Sequence, residues 1–234
     1  PELKITYANC DGCGACISAC PQNALSINNE KIHVDRSLCT GCGKCCDGCF
    51  TDALGIFGTW YTAEQMFEIV KKDKPFYLQS GGGLTIGGGE ATLYPEFCLG
   101  LIQLCHGDGI EVAIDTCGYV TSNLGMQVLK SADLLLFDIK GLDDPRHISN
   151  VKVSNKKILE NLQILSQADK PIIVRMPIIP GYNDSKEELS QAAKLLVSLK
   201  SLKRLDILPV HQYGKTKYRQ LDMSYALDCE SISD

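Results

Sequence analysis

No run of eighteen uninterrupted apolar residues occurs in this 234-residue chain, and no basic segment followed by an apolar one opens it. Neither a membrane-spanning helix nor a secretory leader is therefore expected. Excess positive charge is missing as well. Lys and Arg number 23 against 28 Asp and Glu, for a net charge of -5, which offers phosphate backbones no basic surface and removes nucleic acid from the expected partners. Low-complexity tracts are absent, as is any P-loop with its lysine. These absences suit a soluble cytoplasmic protein without a membrane partner. The 44% hydrophobic content is enough for one large domain and a small module.

Cysteine is what the chain has in quantity. Of 13 cysteines, nine precede Phe50, a local density that means metal ligation in a reducing compartment rather than oxidative stapling. The spacing C-x2-C-x2-C-x3-C occurs twice, at Cys10, Cys13, Cys16, Cys20 and at Cys39, Cys42, Cys45, Cys49. That is the two-cluster bacterial ferredoxin pattern, in which the fourth cysteine of each run ligates the other run's cluster. The expected ligand sets for two [4Fe–4S] centres are Cys10, Cys13, Cys16 and Cys49, and Cys39, Cys42, Cys45 and Cys20. A zinc ribbon would group its cysteines in pairs, and a disulfide framework belongs to short secreted chains. Residues 1–54 are read as this module, in which little helix or sheet is needed, and residues 55–234 as a second domain.

Beyond the module the character changes. Thr62 with Gln65 forms a capping box, and Met66, Phe67, Ile69 and Val70 give the helix it opens an apolar side. Short apolar runs at Leu84 to Ile86, Val112 to Ile114, Leu134 to Ile139, Ile172 to Ile178 and Leu205 to Val210 then alternate with segments of helical period. One such segment follows Ser154, and another is opened by Ser185 and Glu188. Strand and helix alternating at these intervals predict βαβ units and a parallel sheet. Five strands are too few for a closed eightfold barrel and suit an open, partial one.

Parallel α/β sheets present their chemistry at the carboxyl ends of the strands. Here the runs end in Gly87-Gly88-Gly89-Glu90, in Asp115-Thr116 and in Asp138 with Lys140, the fourth contains Arg175, and the fifth is followed by His211. Gly88 and Gly89 bare the backbone for close approach of a ligand, and Glu90 suits a cationic amine. An unpaired Arg175 in an apolar run would be costly, so it needs an anionic partner, expected to be a ligand carboxylate. Cys98 and Cys105 are read as core residues and Cys117 as facing the pocket; His33, His106 and His147 have no functional context.

In order along the chain, Gly88-Gly89-Glu90, Asp115-Thr116-Cys117-Gly118, Asp138-Ile139-Lys140, Arg175-Met176-Pro177 with Ile179-Pro180-Gly181, and Leu208-Pro209 with His211 and Gly214-Lys215 form a specific set. With them the chain resembles the radical S-adenosylmethionine enzymes that activate glycyl radical enzymes, similar to pyruvate formate-lyase activating enzymes with a ferredoxin insertion. The resemblance implies an α/β fold, a partial TIM-type (β/α)6 barrel binding S-adenosylmethionine at its top. It implies that Gly88, Gly89 and Glu90 hold the methionine amino group. Asp115, Thr116, Asp138 and the Leu136 backbone would form a monovalent cation site, with Lys140, Arg175 and His211 lining the pocket. It further implies an anaerobic oxidoreductase that cleaves the cofactor to a 5′-deoxyadenosyl radical, which takes hydrogen from a glycine of a partner enzyme. A flavodoxin or ferredoxin-type protein would be the reductant.

The family's C-x3-C-x2-C, which holds a third, catalytic [4Fe–4S] cluster, is expected upstream of Pro1 together with the first barrel strand, so the chain as it stands is expected to be inactive alone. Cys42, Cys46 and Cys49 match that spacing only because Cys46 is spare. Gly87 replaces the family's usual serine and Ala91-Thr92 its usual proline, which points to an outlying subgroup. Two other readings remain open at this level. One is a ferredoxin-type electron-transfer protein on a barrel without radical chemistry; the other is a radical S-adenosylmethionine enzyme with auxiliary clusters acting on another substrate.

Overall fold

The computed structural model describes residues 1–225; Cys229 lies outside the described residues. Two compact units are present, one formed by Pro1–Trp60 with the stretch that begins at Gln212, the other by Tyr61–His211. The first unit thus runs past the expected boundary at residue 54 and takes in a segment from the far end of the chain.

That first unit contains more regular structure than the expectation of little helix or sheet. Its elements are β1 (Glu2–Ile5), α1 (Ala15–Ala19), β2 (Leu25–Asn28), β3 (Lys31–Val34), α2 (Lys44–Asp47) and β4 (Leu54–Phe57). Strands β1 and β4 pair antiparallel, as do β2 and β3. Asn29 and Glu30, both at positive φ (49° and 61°), make the two-residue turn of the second pair, the geometry that matches strand twist in a tight hairpin. Leu3, Ile5, Leu25, Ile32, Val34 and Leu54 bury their side chains together with Cys16 and Cys45. The late stretch is fastened by polar contacts. Tyr7 donates to Asp222, Arg36 reaches the other Asp222 oxygen at 3.1 Å and the Leu3 carbonyl at 2.7 Å, and Gln220 donates to Thr6 at 3.1 Å.

The second unit follows the alternation of its sequence. Its helices and strands are α3 (Ala63–Val70), α4 (Lys74–Ser80), β5 (Gly83–Ile86), α5 (Pro95–Gly107), β6 (Glu111–Thr116), α6 (Asn123–Ser131), β7 (Leu134–Asp138), α7 (Asp144–Val151), α8 (Lys156–Gln167), β8 (Ile172–Ile178), α9 (Lys186–Ser198) and β9 (Leu202–Pro209); α10 (Lys215–Gln220) belongs to the first unit. The capping box at Thr62 and Gln65 is formed in both directions, which fixes the start of α3. The five strands lie parallel in the order β5-β6-β7-β8-β9. This is the open parallel sheet expected from the sequence.

Burial alternates along β6, β7 and β8. Val112, Ile114, Leu135, Phe137, Ile172 and Val174 are fully buried and share one core with Leu101, Leu129, Leu162 and Leu165 of the helices. Because successive strand side chains point to opposite faces, Asp115, Asp138 and Arg175 fall on the half-buried face. Register completes the arrangement, with Asp138 directly opposite Arg175. Cys98 and Cys105 are core residues. Gly118 sits at φ +73°, where a Cβ would lie 2.0 Å from the Phe137 ring. Gly118→Ala is accordingly expected to cost about 3 kcal/mol, from overpacking together with left-handed strain, as a lowered midpoint in urea unfolding.

Candidate functional site

Two sites emerge, one in each unit. In the first, the duplicated motif folds into two similar loops. Gly14 and Gly43, at φ +77° and +78°, start α1 and α2. Gly12 and Gly41 pass so close to the carbonyls of Glu30 and Pro1 that a Cβ would come within 2.5 Å and 2.3 Å of them. Glycine is required at both places. Cys10, Cys13, Cys16 and Cys49 line one solvent-open void of about 340 Å³, walled by Ile27, Ile32, Ala53 and Leu54. Cys20, Cys39, Cys42 and Cys45 line a second of about 320 Å³, walled by Leu3, Ala24, Leu25 and Ile56.

The donor set suits iron–sulfur clusters: four thiols round an apolar-walled volume, with hydrogen bonds aimed at the sulfurs. The Ala24 amide donates to Cys20 Sγ at 3.4 Å, and the Thr51 hydroxyl lies 3.7 Å from Cys49 Sγ. Burial, reinforced by the adjacent Cys46, pushes the Cys45 thiol up to about 12. A metal bound there would have to displace that proton, so loading would be pH-dependent. Cys46 lines neither void.

In the second unit the strand tips form two connected polar groups. Glu90, just past β5, accepts from the Thr92 amide at 3.2 Å, the Thr92 hydroxyl at 2.8 Å and the Thr116 hydroxyl at 2.9 Å through Oε1, and from the Cys117 amide at 2.8 Å through Oε2. Burial alone would raise its carboxyl, but the bonds from Cys117, Thr92 and Thr116 outweigh burial and hold it below the ordinary range. A depressed folded-state value means the associated stability is present above the unfolded carboxyl value of about 4.3 and is lost as pH falls through the folded one. Gly88 sits at φ +128° and, like Gly89, has open space around it.

The second group is centred on Arg175. Its Nε donates to Asp138 at 3.0 Å, Nη2 lies 2.8 Å from the same oxygen, and Nη2 also binds Asp115. Lys140 stands 3.4 Å from Asp138. Burial lowers the guanidinium's pKa, while the charges of Asp138 and Asp115 raise it by more, so it stays protonated. Arg175 therefore finds its anionic partners in the protein, where the sequence reading expected a ligand carboxylate. The register of β6, β7 and β8 brings these aspartates within reach. His211 follows β9 and is exposed. Of the other histidines, His147 is buried with Nδ1 at 2.7 Å from the Val153 carbonyl, and His106 pairs with Asp133 at 2.8 Å.

Sequence reasoning passed over three buried asparagines behind this rim. Asn155, Asn161 and Asn183 are at most 2% exposed and bind backbone carbonyls of the strand-tip loops. A signal existed for one of them. Asn161 falls on the same helical stripe as Ile158, Leu162 and Leu165, where a polar residue is out of place unless it is bonded.

Residues 37–194 match the radical SAM superfamily and residues 9–57 a 4Fe-4S dicluster domain. The chain is 40% identical to the trans-4-hydroxy-L-proline dehydratase activating enzyme of Clostridioides difficile, over 96% of this chain and 75% of the relative. It is 36% identical to the choline trimethylamine-lyase activating enzyme of Oleidesulfovibrio alaskensis, over 97% of this chain and 76% of the relative. Among solved structures, a domain of a pyruvate-formate lyase-activating enzyme from Bacteroides vulgatus superposes with a TM-score of 0.51 at 28% identity, covering 60% of this chain and 93% of that one. Streptococcus suis SuiB bound to S-adenosylmethionine, at 16% identity and a TM-score of 0.56 over 76% of this chain and 40% of that one, shares the fold. These relatives favour radical chemistry over a bare electron-transfer protein. The chain belongs to the radical S-adenosylmethionine enzymes that activate glycyl radical enzymes.

Proposed function

We propose that the strand-tip site holds S-adenosylmethionine by its methionine end and that the eight paired thiols hold two [4Fe–4S] clusters serving it. The observation that carries this reading is Glu90. It is ionised and braced by three hydrogen bonds on Oε1, while Oε2 takes one and keeps acceptor capacity for an ammonium. Gly88 and Gly89 leave the backbone beside it clear. Lys140 brings positive charge for the methionine carboxylate, Arg175 lines the pocket beside it while paired with Asp138, and His211 lies at the end of the neighbouring strand. Asp115, Thr116, Asp138 and the Leu136 backbone are proposed to hold a monovalent cation beside that carboxylate: Arg175 bridges the two aspartates, and Thr116 Oγ1 donates to Glu90 and accepts from the Gly118 amide with one acceptor site to spare.

The catalytic cluster expected upstream of Pro1 would supply the electron for reductive cleavage of the sulfonium to methionine and a 5′-deoxyadenosyl radical, and the two clusters held by the eight paired thiols would relay electrons to it. This chain's residues would orient the ligand by its methionine end. The radical is proposed to take hydrogen from the glycine of a partner glycyl radical enzyme, with electrons arriving from a flavodoxin or ferredoxin-type reductant.

Glu90→Gln tests the assignment. With iron content unchanged, cofactor affinity is expected to fall about 10–100-fold, the worth of a hydrogen bond to a charged group, in equilibrium titration of anaerobically reconstituted protein. An affinity equal to wild type would overturn the role of Glu90. A fully loaded wild type that binds no S-adenosylmethionine would overturn the site itself.

A further inference from the structure

Three loops at the strand tips are tied down by the same device. Asn161 of α8 directs its amide nitrogen to the carbonyls of Gly118 and Val120, both at 2.9 Å, in the loop after β6. Asn155, just before α8, binds the carbonyls of Gly141 at 3.0 Å and Leu142 at 2.8 Å in the loop after β7. Asn183 binds the Lys140 carbonyl at 3.1 Å and the Pro177 carbonyl at 2.7 Å, joining the β7 loop to the end of β8, and its Oδ1 accepts from the Ile179 amide at 2.8 Å. Glu188 completes the clamp by accepting from the Leu142 amide. Ser185 and Glu188 therefore do not form a reciprocal capping box: the Glu188 amide bonds to Ser185, while its carboxylate goes to the loop.

The burial of these groups is costly unless a constraint is gained. An amide in a dry interior must have both donors satisfied, and here all six are used on carbonyls of loops that carry or flank Cys117, Lys140 and Arg175. None of the three asparagines belongs to the polar groups around Glu90 and Arg175. They act on the site by fixing the backbone that presents it.

We infer that Asn155, Asn161 and Asn183 are positioning residues that hold the β6, β7 and β8 tips in the binding-ready arrangement before cofactor arrives; the inference rests on the strand-tip reading proposed above. Preset loops spare the cofactor the ordering of its own site.

The near-isosteric changes Asn161→Asp and Asn183→Asp test it, since each replaces two donors by an acceptor facing two carbonyls. Hydrogen exchange is the first readout and needs no cofactor. Asn161→Asp is expected to speed exchange at Cys117, Gly118 and Val120 at least tenfold, and Asn183→Asp at Leu142, with Val112 and Ile114 unchanged and with Ile179, whose amide the new carboxylate still accepts, keeping its protection. The second readout is S-adenosylmethionine affinity, expected to fall at least tenfold at wild-type iron content. Leu165→Ala, a core change on α8, is the control for plain loss of stability, compared under conditions of equal fraction folded. Wild-type exchange and affinity in both Asp variants, or the same changes in Leu165→Ala, would overturn the inference. Should an Asp variant not fold, Asn155→Ser, which keeps one donor, gives an intermediate acceleration at Leu142 if the inference holds and none if it does not. Failure of wild type to bind cofactor would strike the site assignment alone, because the exchange results stand independently.

Discussion

Replacing Cys13 with alanine is expected to remove one iron–sulfur centre and about half the iron, from roughly eight to roughly four per chain, while leaving the barrel folded. Cys13 lines only the void shared with Cys10, Cys16 and Cys49; Cys42, its counterpart in the duplicated motif, lines the other. The hydrophobic clusters of the two units are likewise separate, one built on Leu3, Leu25 and Leu54, the other on Val112, Phe137 and Val174. Electron paramagnetic resonance of the reduced variant, an iron count and circular dichroism check the prediction together. Loss of both centres would mean that the two voids depend on one another. Collapse of the helical signal would mean that the module supports the barrel.

Arg175→Met should be the most damaging change at the strand tips. It keeps most of the side chain's length but leaves Asp115 and Asp138 facing one another without their guanidinium, with Lys140 3.4 Å from Asp138. Breaking a fully buried ion pair costs about 3–5 kcal/mol. These groups are one-fifth to one-third exposed, so solvent screening brings the expected cost to about 2 kcal/mol. Paired urea melts of the variant and wild type would show it. Arg175→Lys is not a rescue, since an ammonium lacks the planar fork that reaches two carboxylates at once.

Much of this was legible in the sequence because it is local. Ligand spacing in the cysteine runs is a matter of a few residues, and the glycines that let the loops close lie between the cysteines themselves. Strand and helix alternation shows as hydrophobic period, and the capping box at Thr62 and Gln65 formed as its spacing required. Glu188 shows where that logic stops. Its position after Ser185 suggests a reciprocal cap, yet its carboxylate bonds to an amide 46 residues earlier in the chain, and no short-range pattern encodes such a partner.

The sequence by itself determined the parallel α/β class, the thiol-rich module and which residues stand at the strand ends, because periodicity, motif spacing and glycine placement act over a few residues. Tertiary structure alone decided who meets whom. Arg175 bridges two aspartates 60 and 37 residues away, three buried asparagines tie loops drawn from separate βα units, and Asp222 fastens to Tyr7 across 215 residues of chain. Such pairings follow from sheet register and from the cost of leaving buried donors and charges without partners, both of which exist only once the strands have come together.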